Sequence, residues 1–538
     1  MPHLVLIDGY IDEPASLGVP PYSSPQIRAA FGAARDAGGN VTLLNIDDIR
    51  RGVKVPDCDF LVVLSGCAVP GRYLRGNPAS EREIMELMSQ SNASFRILGG
   101  PAAFEADEAL KARFDLIADI DPAVTIYESV RATGLSGKWR TIDQWNRWMI
   151  LGAESVLVHP DFPQPLIAEL ETYRGCIRYR SGGCSFCIEP LKGKPSYRQP
   201  EDVIAEARKL HELGVSNFRV GAQTCIISYL AKDDGTETPV PNPKAIEQLL
   251  SGIRSLGVDV LHLDNANPAV IAEHPAEARL ALESMVRHCT SGNVLALGLE
   301  SADPKVKMAN NLNASAEQTL EAIRLINEVG GERGESGLPN LLPGVNFIVG
   351  LDGEDAASLQ MNLEFLRRVR KERLQLRRIN IRQVLPIRRE FESGVSHSQF
   401  LSFKRTVREE IDSPILRDLV PVGTELTRVF TEMREGKHTF GRQIGTYPLL
   451  IGFNYPVPLD HFVNVKVVGW GFRSITAVEY PLHLNSCPIA AMESLPSIGN
   501  KRAVRLFRKR PYHSLEDVSK ALDEPSIVKE IRDFIDFE

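Results

Sequence analysis

The stretch YRGCIRYRSGGCSFC, residues 173–187, carries three of the eight cysteines of the chain within twelve positions. Eight cysteines in 538 residues are far too few for a disulfide-stabilised scaffold. Clustered thiols in such a chain indicate metal or redox chemistry. Glycines within the stretch let the backbone wrap around a bound group. Cys176, Cys184 and Cys187 are therefore candidate ligands of a metal centre.

Two kinds of centre fit three thiolates. An iron–sulfur cluster is favoured, because sulfur ligands are soft and three of them leave one iron open to a substrate or cofactor. A structural zinc ion requires a fourth ligand, and neither Cys nor His occurs between residues 188 and 210. The zinc alternative needs the distant Cys225 or His211 to complete the site.

Apolar strands alternate with amphipathic helices on both sides of this stretch, within a segment from 166 to 390. We predict strands at 167–173, 217–220, 258–263, 294–297, 344–349 and 379–384, with helices such as 200–213, 316–329 and 356–369 between them. Six strand–helix units are typical of a full or partial (β/α) barrel. Reactive groups of such barrels gather at the C-terminal ends of the strands.

The run Cys184-Ser185-Phe186-Cys187, after the first barrel strand, resembles the C-x-aromatic-C half of the motif of the radical S-adenosylmethionine (radical SAM) superfamily. The resemblance implies a [4Fe-4S] cluster on Cys176, Cys184 and Cys187 whose open iron chelates SAM, with Phe186 near the adenine. It also implies reductive cleavage of SAM to a 5′-deoxyadenosyl radical, and hence an electron donor as a partner. The sequence departs from the family at one point: seven residues separate Cys176 from Cys184, where the family has three.

The same resemblance implies further SAM contacts at the strand ends. They are Gly221 and Gln223 after the second barrel strand, Glu300 and Ser301 after the fourth, and Asn346 and Gly350 on the fifth strand and its turn. A buried polar residue at a strand end needs a partner, and a zwitterionic ligand supplies one. For Gln223 and Glu300 the alternative is turn chemistry alone.

Residues 1–130 are predicted to form a doubly wound α/β domain, with buried strands at 3–7, 41–44, 60–64 and 95–98. The domain resembles the cobalamin-binding domain before many radical SAM barrels in its position and in residues 18–21 (GVPP), but the D-x-H-x-x-G signature is absent. Through residues 64–67 (LSGC) it loosely resembles the amino domain of methylthiotransferases, which binds a second cluster. Cys58 and Cys67 cannot supply three ligands, so a degenerate domain that positions the substrate is the favoured interpretation.

Three of the four tryptophans lie in residues 131–165, which we expect to be an interdomain linker. Trp139, Trp145 and Trp148 are predicted to pack on a core, or alternatively to form an aromatic platform for a substrate. Residues 415–482 are predicted to form a small β-barrel that loosely resembles the RNA-binding TRAM domain. Its basic surface would consist of Lys437, Arg442 and Lys466, and the alternative role is a structural cap on the larger barrel.

Residues 487–538 are predicted to be helical and resemble a helix-hairpin-helix motif at 493–503 (ESLPSIGNKRA). The turn would place Gly499 and the free N–H groups of the next helix against a phosphate. Local positive charge comes from Lys501, Arg502, Arg505, Arg508, Lys509 and Arg510. The alternative is a module that docks a protein.

The predicted fold class is α/β and multidomain: a doubly wound domain, a full or partial (β/α) barrel, a small β-barrel and a helical hairpin module. The predicted function is a radical SAM enzyme that modifies a nucleic acid, with tRNA as the first candidate and methylthiotransfer as one candidate reaction. The alternatives are a radical SAM enzyme acting on a protein or small metabolite, and a non-catalytic RNA-binding iron–sulfur protein. The absence of an apolar run of about 18 residues, and of a basic region before an apolar stretch at the N-terminus, predicts a cytoplasmic protein without a membrane partner. The net charge of −7 provides no global basic field, so nucleic acid would have to bind a local basic patch.

Overall fold

The computed structural model of the chain describes residues 1–11, 22–66 and 75–538. The motif at 18–21 and Cys67, on which the two predicted identities of the first domain depend, lie outside the described residues. No helix within the described ranges combines the length and the apolar character needed to cross a bilayer.

The first unit is a five-stranded parallel sheet. The strands up to residue 130 are β1 (His3–Gly9), β2 (Tyr22–Ser23), β3 (Asn40–Asn45), β4 (Cys58–Ser65), β5 (Ala93–Gly99) and β6 (Leu116–Ala118). The helices are α1 (Pro25–Asp36), α2 (Ile46–Arg50), α3 (Glu81–Gln90), α4 (Ala102–Glu105), α5 (Glu108–Lys111) and α6 (Pro122–Arg131). The sheet has the order β3-β1-β4-β5-β6, in which the chain winds outward in both directions from β1. Alternate residues of β1 and β4 enter separate apolar clusters, so both faces are covered.

The segment predicted to be an interdomain linker contains a helix, α7 (Ile142–Leu151), which packs on α1. Trp145 and Trp148 are buried there among alanines of α1. The approach is so close that a Cβ on Gly32 would lie 2.0 Å from the carbonyl oxygen of Trp148. Two of the three tryptophans therefore pack on a core.

The second unit is a parallel barrel that stays open. Its strands are β7 (Ile167–Glu171), β8 (Tyr173–Arg174), β9 (Ser196–Tyr197), β10 (Asn217–Gly221), β11 (Val260–Leu263), β12 (Asn293–Glu300), β13 (Leu341–Val349) and β14 (Ile379–Gln383). Its helices are α8 (Pro200–Glu212), α9 (Pro243–Arg254), α10 (Pro268–Glu273), α11 (Pro275–His288), α12 (Pro304–Ala309), α13 (Ala316–Gly330) and α14 (Ala356–Lys371). The sheets β7-β10-β11 and β12-β13-β14 meet at a parallel bridge between Ala266 and Leu297. The six predicted strands thus form a partial barrel.

The strand β2 leaves the first unit and pairs in parallel with β7, matching Tyr22 with Ile167. A buried ion cluster follows directly. Arg28 of α1 and Arg198 flank the carboxylate of Glu206, at 2.9 and 2.6 Å. Arg28 also donates to the carbonyl of Glu169, and Arg198 donates to that of Glu171 at 3.1 Å. Both arginines therefore tie β7 to the helices around it.

The third unit is a closed five-stranded barrel. After α15 (His397–Val407) and α16 (Ser413–Leu419) come β15 (Glu425–Glu435), β16 (His438–Gln443), β17 (Leu450–Phe453), β18 (Phe462–Trp470) and β19 (Ser474–Glu479). The closed order is β15-β16-β17-β19-β18. The chain ends with β20 (Leu482–His483), α17 (Ile489–Glu493), α18 (Asn500–Arg508), α19 (Leu515–Ala521), α20 (Ile527–Ile531) and β21 (Ile535–Asp536). These last elements share one apolar core with the closed barrel.

The predicted basic surface of this barrel was wrong at two of its three residues. Arg442 is buried and pairs with Glu432 at 2.8 Å. Lys466 is also buried, and its Nζ donates to the carbonyl of Asp533. Only Lys437 lies at the surface. The sequence alternation could not reveal that both sides of these strands are covered.

We predict a pH-dependent gain of stability for Asp8→Asn. Burial raises the pKa of Asp8, at the end of β1, to about 7, while its Oδ1 accepts the Tyr10 N–H at 2.8 Å. The ionised form is disfavoured in the folded state, so stability falls as pH rises from the ordinary range of an aspartate through 7. The variant keeps the acceptor and should unfold at a higher temperature than wild type above pH 7, with the difference vanishing near pH 4. Thermal unfolding followed by circular dichroism measures this.

The exposed Asp57→Asn is the control and should not reproduce the gain in unfolding temperature at pH 8. An Asp8→Asn protein no more stable than wild type at pH 8 would contradict the assigned burial.

Candidate active site

The cysteine loop lies at the C-terminal ends of the barrel strands, directly after β7 and β8. Its path depends on glycine. Gly183 has φ +60°, and a Cβ there would lie 2.3 Å from Cγ of Pro190. A side chain at this position would therefore displace the segment that follows Cys187.

Side chains from distant elements hold the loop. Arg388, beyond the sixth barrel strand, donates through Nη1 to the carbonyls of Gly182, Cys184 and Cys187 at 2.8, 3.0 and 3.2 Å. Asn311, after α12, donates to the carbonyl of Gly183 at 2.9 Å. The unusually long spacing between Cys176 and Cys184 is thus a fixed loop.

The three thiols are free, half-buried and close enough to influence one another. Burial raises the pKa of Cys176 to about 11 and that of Cys187 to about 12, and charge on Cys184 adds to both shifts. Arg178 opposes the shift at Cys176, because its backbone N–H points at Cys176 Sγ (3.4 Å). Its Nη1 points at Cys184 Sγ (3.3 Å). Such thiols need a bound cation to become thiolates at neutral pH.

The spacing of the thiols fits a cluster better than a single ion. The Sγ atoms of the three cysteines do not all lie within 4.8 Å of one another. Among the described residues, the triad of potential metal ligands that meets this limit is His483, Asp536 and Glu538. A zinc ion with Zn–S bonds of about 2.3 Å would hold its sulfurs roughly 4 Å apart.

The fourth ligands that zinc would need are also engaged elsewhere. The Cys225 thiol is buried, and its Sγ accepts hydrogen bonds from Ser228 and Asn267, both at 3.2 Å. His211 lies at the end of α8, where its Nδ1 is 3.0 Å from the carbonyl of Val215. The three thiols therefore fit an iron–sulfur cluster.

Glu300 is the clearest sign of a missing ligand beside the cysteines. It ends β12 with φ +65°, and its Oε2 is buried without a hydrogen-bond partner. Burial raises the pKa of Glu300 to about 8, with the charge of Arg382 opposing the shift. Charge on Glu300 also raises the pKa of Cys184, which places the two groups near each other. A cationic, hydrogen-bonding ligand such as SAM fits this unsatisfied carboxyl.

Two other predicted SAM contacts face the same region. Phe186 packs with Cys184 in a small apolar cluster that includes Ile348 of the fifth barrel strand, β13, and Leu351 after that strand. Asn346, on that strand, accepts a hydrogen bond from Asn380 Nδ2 at 3.3 Å.

The two glycines predicted to contact SAM, Gly221 and Gly350, lie where neighbouring atoms come close to the backbone. A Cβ on Gly221 would meet Oε1 of Glu169 at 2.2 Å and Nε of Arg219 at 2.8 Å. Gly350 has φ +103°, and its N–H donates to Glu354.

Two predicted contacts are occupied within the protein. Gln223 is buried, accepts from Thr172 Oγ1 at 3.2 Å and donates to the Val220 carbonyl at 3.1 Å. Ser301 Oγ accepts the N–H of Asp303 at 3.2 Å, which is local turn chemistry. One amide N–H of Gln223 and the hydroxyl hydrogen of Ser301 are not used in these bonds, so contact of both residues with SAM stays a prediction.

The sequence did not single out several residues of this site. Arg388 and Arg382 lie outside the cysteine motif, and no local pattern marks them. Arg178 was visible as a cation inside the long cysteine spacing. Trp139, which the sequence did indicate as a possible aromatic platform, lies beside the cysteine loop, with Arg174 4.7 Å and Lys192 5.4 Å from its ring centroid.

The chain matches the sequence profile of the radical SAM superfamily over residues 170–366. It is 42% identical over 502 residues to the uncharacterized protein MJ0274 of Methanocaldococcus jannaschii, covering 88% of this chain and 92% of that one. It is 29% identical over 227 residues to the ribosomal protein uS12 methylthiotransferase RimO of Hydrogenovibrio crunogenus, covering 41% and 44%. The structure of the radical SAM methyltransferase TsrM from Kitasatospora setae aligns with a TM-score of 0.47 at 13% identity, covering 70% and 72%.

The profile match defines a radical SAM superfamily enzyme, a class that uses a [4Fe-4S] cluster and SAM. Within that superfamily, the chain belongs to the same family as MJ0274.

We predict that replacing Cys176, Cys184 and Cys187 together by Ala abolishes iron binding. Anaerobically reconstituted wild type should hold about four irons per chain, whereas the triple variant should hold almost none and lose its visible absorbance. Iron analysis after desalting measures the difference. Cys225→Ala, which removes a buried thiol outside the loop, should retain its iron. Iron retained by the triple variant would place the cluster elsewhere.

Glu300→Gln should weaken SAM binding about tenfold with iron content unchanged, because a hydrogen bond to a charged group contributes roughly 1.5–3 kcal/mol. Isothermal titration of the reconstituted protein with SAM measures this effect. The exposed Glu321→Gln on α13 is the control and should bind SAM as wild type does. Equal affinities for all three proteins would remove Glu300 from the SAM site.

Proposed function

We propose that this radical SAM enzyme modifies a nucleic acid, with tRNA as the first candidate, and that Cys176, Cys184 and Cys187 hold its cluster. The unsatisfied Glu300 carboxyl beside the three-thiol loop carries the assignment of the site. When bound and reduced by a cellular electron donor, the cluster supplies the electron that cleaves SAM. Glu300, Phe186 and Asn346 bind and orient SAM, while Arg178 and Arg388 fix the loop.

The separation of the cysteine-containing barrel from three flanking units supports this function. Residues 166–390 carry the chemistry, and the units at 1–130, 415–482 and 487–538 present the substrate or complete the site. A cytoplasmic location accords with access to tRNA and to a reductant.

The helical module offers a cationic surface smaller than its composition indicates. Arg502 pairs with Asp523 and Glu524, both at 2.9 Å, and Arg505 lies 3.6 Å from Asp523. The guanidinium of Arg510 donates to the Cys487 carbonyl.

Three cations of the run at 501–510 remain available to a phosphate backbone. Lys501 and Arg508 are exposed and form no ion pair with any described residue, and Lys509 donates only to the carbonyl of Lys520. Lys501 lies in the first turn of α18, whose N-cap Gly499 has open space around its Cα. Such an arrangement favours backbone contact without sequence readout.

Exposed aromatic side chains beside arginines add a second feature typical of nucleic-acid binding. Phe472 is 69% exposed, with the guanidinium of Arg408 4.5 Å from its ring centroid. Trp470 is 36% exposed, with Arg417 at 5.6 Å. Unpaired bases stack on surfaces of this kind.

A protein substrate is the second candidate, because RimO is named for a ribosomal protein. Methylthiotransfer is less well supported. Cys58 is buried at the start of β4, at the edge of the sheet opposite the strand C-termini, so the described part of this unit offers no three-cysteine second site.

We expect charge reversal at Lys501, Arg508 and Lys509 to weaken tRNA binding. Each lost phosphate contact should lower the log–log salt slope by about 0.7–0.9. SAM cleavage without substrate should be unchanged. Substitution is preferable to deletion, because the module shares its core with the closed barrel. Filter binding over a salt series gives the slope.

The matched control reverses Lys54, Arg113 and Lys138, three exposed cations of the first 140 residues. An unchanged slope in the first variant would favour a protein substrate instead.

A further inference from the structure

The small barrel reaches into the lumen of the partial barrel. Its loop at residues 444–449, between β16 and β17, carries the contact. The backbone N–H of Thr446 donates to Nδ1 of His262 on β11 at 3.0 Å. A Cβ on Gly445 would lie 2.6 Å from the ring of His262. This fit leaves room only for glycine at position 445.

The small barrel enters from the N-terminal side of the partial barrel. Gln443 Nε2 donates at 2.7 Å to the carbonyl of Ser336, which lies in the loop before β13. Arg377, just before β14, donates to the carbonyls of Tyr447 and Pro448 at 3.3 and 3.2 Å. The loop therefore closes the lumen on the side away from the cysteines.

Tyr447, at the tip of this loop, reaches a buried charge network. Its hydroxyl donates to Oδ1 of Asp264 at 2.7 Å. Asp264 directly follows β11, and its other oxygen accepts from the guanidinium of Arg219. Arg219 in turn lies 3.4 Å from Oε1 of Glu169 and 4.6 Å from the ring centroid of Tyr22. Asp264, Arg219 and Glu169 are all buried.

The network lies immediately against Gly221, because the side chains of Glu169 and Arg219 occupy the space where a Cβ at this position would project. Gly221 ends the second barrel strand, one of the positions assigned to SAM. Asp264 is level with it, since the Asp264 N–H donates to the carbonyl of Val220 at 3.2 Å. The three charged groups thus form the floor beneath the strand ends where SAM is assigned.

We propose that Tyr447 is a positioning residue of the SAM site, which holds the Asp264–Arg219–Glu169 floor in place from the small barrel. The inference rests on the proposed placement of SAM at the strand ends. On this inference the small barrel helps to form the SAM site. It also acts as a structural cap on the larger barrel, the role given above as the alternative to RNA binding.

The ring of Tyr447 is held independently of its hydroxyl. The guanidinium of Arg378 lies 3.6 Å from the ring centroid, and Arg377 anchors the backbone. Tyr447→Phe therefore keeps the stacked ring and removes the hydrogen bond to Asp264. A buried carboxylate that loses one of its donors is free to shift, and the arginine paired with it shifts too.

The matched control is Tyr455→Phe. Tyr455 is buried in the small barrel, and its hydroxyl accepts the N–H of Glu479 at 3.0 Å. Each substitution removes one hydrogen-bonded tyrosine hydroxyl from the same unit, but of the two tyrosines only Tyr447 contacts the floor. Iron content and thermal unfolding are expected to be similar for the two variants.

The test combines SAM titration with electron paramagnetic resonance of the reduced cluster before and after SAM addition. Tyr447→Phe should raise the Kd for SAM about tenfold and change the spectrum of the SAM-bound cluster, with Tyr455→Phe matching wild type in both. Wild-type values for Tyr447→Phe would overturn the inference. A wild-type protein that binds no SAM would instead overturn the proposed site.

Tyr22→Phe provides a second variant should Tyr447→Phe fold poorly. The Tyr22 hydroxyl donates to the carbonyl of Thr446 at 3.2 Å, so its loss loosens the same loop without touching Asp264. We expect a smaller increase in the Kd for SAM, about two- to threefold. An unchanged Kd for Tyr22→Phe, or one higher than that of Tyr447→Phe, would count against the role of Tyr447.

Discussion

Two buried arginines share one carboxylate at the joint between the first two units, and the position of the cysteine loop depends on this arrangement. Arg28 and Arg198 enclose Glu206, and each also donates to a carbonyl of β7. The strand β7 leads into the cysteine loop, so the ion cluster fixes the start of that loop. Removing one member of a buried ion group leaves an uncompensated charge and costs roughly 3–5 kcal/mol.

The framework of the barrel could be predicted from sequence because its strands are continuous apolar runs between amphipathic helices. The cysteine cluster was equally visible, since its three thiols are close in sequence. Contacts across long separations were not. The pairing of Tyr22 with Ile167 and the bond from Tyr447 to Asp264 join segments with no shared local pattern.

Charge was also hard to interpret from the sequence. Arg442, Lys466 and Arg502 counted as basic surface in the linear chain, yet folding gives each of them a partner. A count of cations describes composition only. The cations that most favour binding of a phosphate are those that form no ion pair within the protein. Glu300 shows the opposite effect. Its local sequence is compatible with an ordinary turn residue, but in the folded chain its carboxyl is buried without a hydrogen-bond partner for Oε2.

The pairing of β2 with β7 has a consequence for how the chain avoids self-association. An open barrel exposes backbone N–H and C=O groups along its outermost strands, and such edges template pairing between molecules. The short strand β2 covers the first residues of β7, at Ile167 and Ala168. The first unit thereby occupies part of one barrel edge that would otherwise be open to pairing with a second molecule.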